Sequence, residues 1–336
     1  MRKLKNLLFA FFLLLVAAAC ERRPLVDMED HTQIRVKVNI NAVANVTCDV
    51  YNEKIPIPKI EPQVMHVLFF DQKTEKVAAE SFINNVSYDS EGNRMLDGHI
   101  AIAPGDYKML IYDFGTESTI VTDYYNWQEV YAYTNGLSPS LKQSLLSKAG
   151  EDAYLVYEPD HLVVVRNDNE HIPYHDGVHV IEAEAKSVVE SYYLQIKVQG
   201  LEYVSGAQAI LSGMVNGNKL SSDTKVVAPE ATIWFDMGKS DDKGTPVICT
   251  VFNTFGRIDK STNKLDVTFD IKTHDGRVIQ ETFDISHLFS TPECIEHHWL
   301  LLDETIVVPP PVFSGEGGGF NPEVGDWEEK HYDIDI

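Results

Sequence analysis

The sequence predicts an all-β protein made of two β-sandwich domains in tandem, with one short helix in the first. Three observations carry that expectation. Short runs that alternate apolar with polar residues recur along the chain, and turn signals built from Gly, Pro, Asp and Asn separate them. Helical periodicity is confined to one stretch near residue 140.

Residues 1–19 read as an export signal: Arg2, Lys3 and Lys5 lead, Leu7 to Val16 form the apolar stretch, and Ala17 to Ala19 are the small-residue exit. Ten apolar residues fall short of the roughly 20 a helix needs to cross a bilayer. Cys20 follows at once, with Ala17 where a lipobox usually has Leu, and this context resembles a bacterial lipobox in which the thiol carries the lipid. Two or three acyl chains on one sulfur hold a protein durably, since each buried CH2 contributes about 0.8 kcal/mol. Residues 20–30 then form a tether.

Ile34, Val36, Val38 and Ile40 alternate with Arg35, Lys37 and Asn39, the pattern of a strand with one face in a core. Val64 to Phe70 is a more continuous apolar run, followed by a turn at Asp71 to Lys73 and a further strand over Lys76 to Phe82. His99, Ala101 and Ala103 alternate with Ile100 and Ile102. Pro104, Gly105 and Asp106 turn the chain into another strand, Tyr107 to Tyr112. Ser138 and Pro139 start a helix that carries Leu141, Leu145 and Leu146 on one face and stops at Gly150.

Asn167, Asp168, Asn169, Pro173 and Gly177 break the pattern, which sets the first sandwich at 31–175 and the second at 176–308. Strands resume at Val178 to Glu184, Tyr193 to Val198, Ala207 to Leu211, Thr232 to Met237 and Val247 to Phe252. Leu265 to Ile271 and Val278 to Ile285 form a hairpin about Asp275 and Gly276. Residues 309–336 form a Pro/Gly-rich acidic tail, in which seven carboxylates from Gly315 onward face only Lys330, yet Phe320, Val324, Trp327, Tyr332, Ile334 and Ile336 punctuate it.

With 28 Lys and Arg against 51 Asp and Glu, the formal charge of -23 excludes nucleic acid as a partner, because phosphates are neutralised by basic surface. Losing Arg2, Lys3 and Lys5 takes the charge to -26, so the lipid rather than head-group attraction must provide membrane attachment. No catalytic residue and no metal or other cofactor is nominated. His171, His175 and His179 are four apart, but Pro173 and Gly177 forbid the helix that would align them. Cys294, His297 and His298 lack a second ligand pair, and Cys48, Cys249 and Cys294 read as buried thiols. Asp241 and Asp242 read as a solvated turn. The glycines at 315–319 open no helix, so they do not cradle phosphate.

In the second half Tyr192-Tyr-Leu-Gln-Ile-Lys-Val-Gln-Gly-Leu201, Ala207-Gln-Ala-Ile-Leu-Ser-Gly213, Asn253-Thr-Phe-Gly256, the Asp275-Gly276 hairpin and Phe283-Asp-Ile-Ser286 occur in order, and the first half carries Ala103-Pro-Gly-Asp-Tyr107. Together with Cys20 they resemble the FimB-type fimbrial anchor lipoproteins of Bacteroidales. The resemblance implies two transthyretin-like sandwiches, a base held by lipid in the outer membrane at the cell surface, and fimbrial subunits of the same assembly as partners. It also implies that those partners join by strand addition. Strand chemistry suggests two segments for such an exchange: Ile34, Val36, Val38 and Ile40 next to the tether, and Ile334 and Ile336 in the tail. An alternative expectation is a surface lipoprotein that binds glycan or another ligand through sandwich loops, with Tyr124, Tyr125 and Trp127 as a stacking platform.

Overall fold

The computed structural model describes residues 31–40, 59–174, 177–258 and 264–311. In the first part of the chain the strands are Thr32–Ile40 (β1), Met65–Asp71 (β2), Val77–Ile83 (β3), Asn85–Tyr88 (β4), Arg94–Ile102 (β5), Gly105–Asp113 (β6), Thr119–Thr122 (β7) and Tyr131–Thr134 (β8). A helix, Pro139–Ala149 (α1), leads to Tyr154–Tyr157 (β9), Val163–Ile172 (β10), Val178–Glu184 (β11) and Lys186–Ser187 (β12). The second part has Glu190–Gln199 (β13), Val204–Met214 (β14), Gly217–Lys219 (β15), Thr224–Val226 (β16), Ala231–Asp242 (β17) and Thr245–Thr254 (β18). Asp266–Thr273 (β19), Val278–Asp284 (β20), a helix Pro292–His297 (α2) and Trp299–Val307 (β21) complete it.

The all-β expectation holds. Two sheets, ordered β11-β1-β5-β4 and β12-β10-β6-β2-β3, face each other over a core that includes Val36, Val38, Val67, Phe69, Leu96 and Ile111. The Ala103–Tyr107 turn is the corner by which the chain passes from one of these sheets to the other, and the Tyr107 hydroxyl closes it by donating to the Ala103 carbonyl at 2.9 Å. The second sandwich is one sheet that turns back on itself, ordered β20-β19-β14-β17-β18-β13-β21. The long β17 makes the turn: it pairs with β14 up to Met237 and with β18 from Gly238 onward. Between the two limbs lies the largest core, with Leu194, Ile196, Leu211, Phe235, Phe252 and Phe269.

The sheets do not divide between residues 175 and 176, where the turn signals place the boundary. β11 runs parallel to β1, and β12 pairs with β10, so both strands complete the first sandwich. Pro173 and Gly177 mark the connection between β10 and β11, which local sequence cannot tell from a linker.

The two halves are also welded. β8 pairs with β15 in a four-stranded sheet ordered β16-β15-β8-β7, and β9 runs parallel to β17. The small sheet roofs the outer face of β2, β6 and β10, where Leu68, Phe70, Leu110 and Val164 pack with Val215, Leu220 and Phe255 from the second half. This double burial explains why β2 is apolar on both faces over Met65 to Phe70, interrupted only by the buried His66.

Helix α1 forms where the capping pattern puts it. The Leu141 amide donates to Ser138 Oγ at 3.4 Å, and Gly150 ends the helix at φ 91°. It packs Leu145 against Ile210 of β14, so it belongs spatially to the second sandwich. The second helix, α2, is too short for its periodicity to be read from sequence. It is fixed by its ends: Thr291 Oγ1 accepts from the Cys294 amide at 3.3 Å, and Pro292 fills the first turn.

Candidate functional site

The first described strand carries the candidate exchange residues. Ile34, Val36 and Val38 are fully buried and Ile40 nearly so. β1 is an interior strand: it is antiparallel to β5 from Thr32 opposite Ile102 to Ile40 opposite Arg94, and parallel to β11 from Gln33 to Asn39. Its outward side chains are tied as well, with Arg35 bound to Asp97 at 3.1 Å and Lys37 to Glu182 at 3.0 Å. Thr32 Oγ1 donates to the Pro173 carbonyl at 2.7 Å and pins the start of the strand. Cys20, Ile334 and Ile336 lie outside the described residues, as do Cys48 and His175.

The strands at the ends of the sheets, each with one edge that pairs with no described strand, are β11, β4, β12 and β3 in the first sandwich, β20 and β21 in the second, and β16 and β7 in the joining sheet. Val178 and Val180 of β11 stand exposed beside such an edge. Edges of this kind present a row of N–H and C=O groups that an added strand can satisfy.

The side chains singled out for chemistry are accounted for by packing. His171 Nδ1 meets Asp106 Oδ1 at 2.7 Å on the surface, and among the described residues no three His, Cys, Asp or Glu side chains are placed to share a metal ion. Cys249 and Cys294 are free and buried; burial pushes the Cys294 thiol up to about 11, which makes it a poor nucleophile at neutral pH. His297 stacks on Trp299, and His298 closes α2 with its ring against Tyr192. Asp241 and Asp242 end β17 at its hairpin with β18, and Gln195 Nε2 donates to Asp242 Oδ2 at 3.3 Å.

The stacking platform at Tyr124, Tyr125 and Trp127 does not form. Tyr125 is 67% exposed, but Trp127 is 3% exposed, edge-on to Phe70 at 5.3 Å with the Lys108 ammonium 5.5 Å over its ring. Trp127 is a core residue because its amide donates to the Glu75 carbonyl at 2.8 Å, which draws the polar 123–126 segment down onto β3. The two tyrosines join rings that sequence spacing could not group. His66 stacks on Phe82 at 4.4 Å and stands edge-on to Phe114 and Tyr124, because β3, β2 and the end of β6 are neighbours only in the folded sheet.

One carboxyl joins the sandwiches electrostatically. Glu158 Oε2 accepts the Asn253 amide of β18 at 2.8 Å, and burial, aided by the charges of Asp160 and Asp236, pushes its carboxyl up to about 7. Asp160 in turn accepts the amides of Glu117, Ser118 and Thr119 at the start of β7.

A family model matches residues 19–236, well over half of the chain. The protein belongs to DUF5119, a domain of unknown function. The match covers all of the first sandwich and ends within β17. This DUF5119 chain is 21% identical over 300 residues to a Bacteroides ovatus protein that carries the provisional name fimbrium anchoring subunit Fim4B, covering 83% of this chain and 78% of that protein. A Bacteroides ovatus crystal structure provisionally described as an adhesin shares the fold at a TM-score of 0.58 with 18% identity, covering 88% of this chain and 98% of that one. The fimbrial anchor protein Mfa2 from Porphyromonas gingivalis aligns at a TM-score of 0.45 with 11% identity, over 81% of this chain and 90% of that one. At that level the fold likeness rests on the adhesin.

Proposed function

We propose that this protein is a fimbrial anchor, a lipid-held subunit that seats a fimbria on the outer membrane at the cell surface. Its role is structural rather than enzymatic, and its partners are other fimbrial subunits. The likeness over most of its length to a relative named for fimbrium anchoring supports this reading. The observation that carries it is the position of β1.

Cys20 and Thr32 are twelve positions apart, so an acylated Cys20 leaves a tether that reaches at most about 40 Å from the lipid surface to the first strand. Tension on the fimbria then enters the body along β1. Ladder bonds run across strands, so a pull along β1 shears the bonds to β5 and β11 together instead of opening them in sequence. Burying Ile34, Val36, Val38 and Ile40 contributes roughly 6–12 kcal/mol more, at 1.5–3 kcal/mol for each side chain. A strand that holds the tether cannot be exchanged without freeing the body from the membrane. β1 therefore stays in place, and a neighbour's strand adds at a sheet end such as β11.

The test is Cys20→Ser, followed by fatty-acid labelling and fractionation. The variant is expected to take up no label and to leave the membrane fraction. A variant that still sediments with outer membrane would remove the lipid from the account.

A further inference from the structure

The limb of the second sandwich formed by β18, β13 and β21 has two faces. One lines the main core. On the other, Tyr193 and Val247 are 0% exposed, Cys249 3% and Trp299 8%, with Val251 and Leu301 packed against them. Ser191 and Gln195 are hidden on the same side. Every apolar member of this cluster belongs to the sheet itself; the other described elements add the His297 ring of α2, stacked on Trp299 at the end of the face, and leave Val247 and Cys249 without an apolar partner from outside the sheet. A sheet face with both apolar content and full burial requires a second layer. The sequence agrees, since Val247 to Phe252 and Trp299 to Leu302 are nearly continuous apolar runs and not one-sided strands.

We propose that residues 312–336 form that layer, the acidic tail folding back across the outer face of β21, β13 and β18. The place is right. The chain leaves β21, the edge strand of this limb, at Val307; the Val308 amide donates to the Gln199 carbonyl at 2.8 Å. Arg277 holds the Pro309 and Pro310 carbonyls at 3.1 and 3.0 Å. The tail is therefore delivered to the rim of the face it covers.

The length is right as well. Trp299 lies at the far end of β21, roughly 30 Å back at 3.3 Å per residue, and the three strands span about 10 Å across. Twenty-five residues reach up to about 80 Å. Gly315 and Gly317 to Gly319 permit a reversal, and Phe320, Val324, Trp327, Tyr332, Ile334 and Ile336 follow as the apolar residues that can cover the face. The intervening carboxylates stay in water.

The other segments outside the described residues fit less well. Residues 1–30 lead into β1 and residues 41–58 connect β1 to β2, both strands of the first sandwich, while residues 175–176 and 259–263 are too few to roof three strands. This inference is independent of the fimbrial reading.

Cys249 reports the cover directly. In the exported chain carrying Cys20→Ser, native iodoacetamide labelling mapped by mass spectrometry should leave Cys249 unmodified, as it leaves Cys294 in the core. Deleting residues 312–336 should expose Cys249 to labelling while Cys294 stays protected, which shows that the body remains folded. A synthetic peptide of residues 312–336 added in trans should restore protection. In the intact chain, Trp327→Ser should speed Cys249 labelling at least about tenfold by favouring local opening of the tail. Cys249 labelled with the tail present, or still protected after its deletion with Trp327→Ser unchanged, overturns the proposal.

Discussion

Replacing Glu158 with Gln should stabilise the protein above neutral pH. Glu158 is mostly buried where the two sandwiches meet, and its carboxyl titrates near 7 instead of the usual 4.5. Each pH unit of displacement is worth 1.36 kcal/mol, so the ionised side chain costs on the order of 2–3 kcal/mol once its remaining solvent access is allowed for. Below about 4.5 the group is neutral both folded and unfolded, and no cost exists. Between 4.5 and 7 the unfolded chain ionises first, so stability falls as pH rises; above 7 the cost is complete. Gln keeps an oxygen to accept the Asn253 amide and carries no charge to meet Asp160 and Asp236. Urea unfolding of the Cys20→Ser chain at pH 4.5 and pH 8 measures the effect. The variant should match its parent at the lower pH and exceed it by about 2 kcal/mol at the higher one. Equal differences at both pH values, or a loss of stability at pH 8, would refute the reasoning.

Three further substitutions test the packing. Trp127→Ala should cost about 3–5 kcal/mol because the ring fills the core beneath the joining sheet, whereas Tyr125→Ala should change thermal stability by less than about 0.5 kcal/mol. Gly200→Ala should destabilise by about 1–3 kcal/mol: the residue sits at φ 85°, and an added Cβ would overlap the Val308 carbonyl. A melt unchanged from the parent would contradict that placement.

Several elements were legible because their signal is local. The alternation of Ile34 to Ile40, the Ser138-Pro139 cap and the Asp275-Gly276 hairpin each translate directly into structure. The Gly200-Leu201 element of the family resemblance has a physical basis in the same way, since only glycine fits where the chain turns under Val308. The nearly continuous apolar run over Val64 to Phe70 announced a strand without saying what covers it. Its cover comes from β8 and β15, pieces of four and three residues separated by more than eighty positions, too short to show any period. Trp127 could be read as part of an exposed platform only as an alternative, because its neighbours are polar; the backbone bonds of Trp127 to Glu75 and of Tyr125 to Val77 bring it into the core. The boundary between the sandwiches was misplaced for the same reason: the pairing of β11 with β1 spans about 145 residues, and no local pattern encodes it.

The anchor claim stands on whether one sulfur holds an assembled fimbria to the cell. Cells producing the Cys20→Ser protein from the native locus should still assemble fimbriae and shed them, so that antibody to the fimbrial shaft finds the polymer in the cell-free supernatant. Fimbriae retained on those cells at the parental level would contradict it.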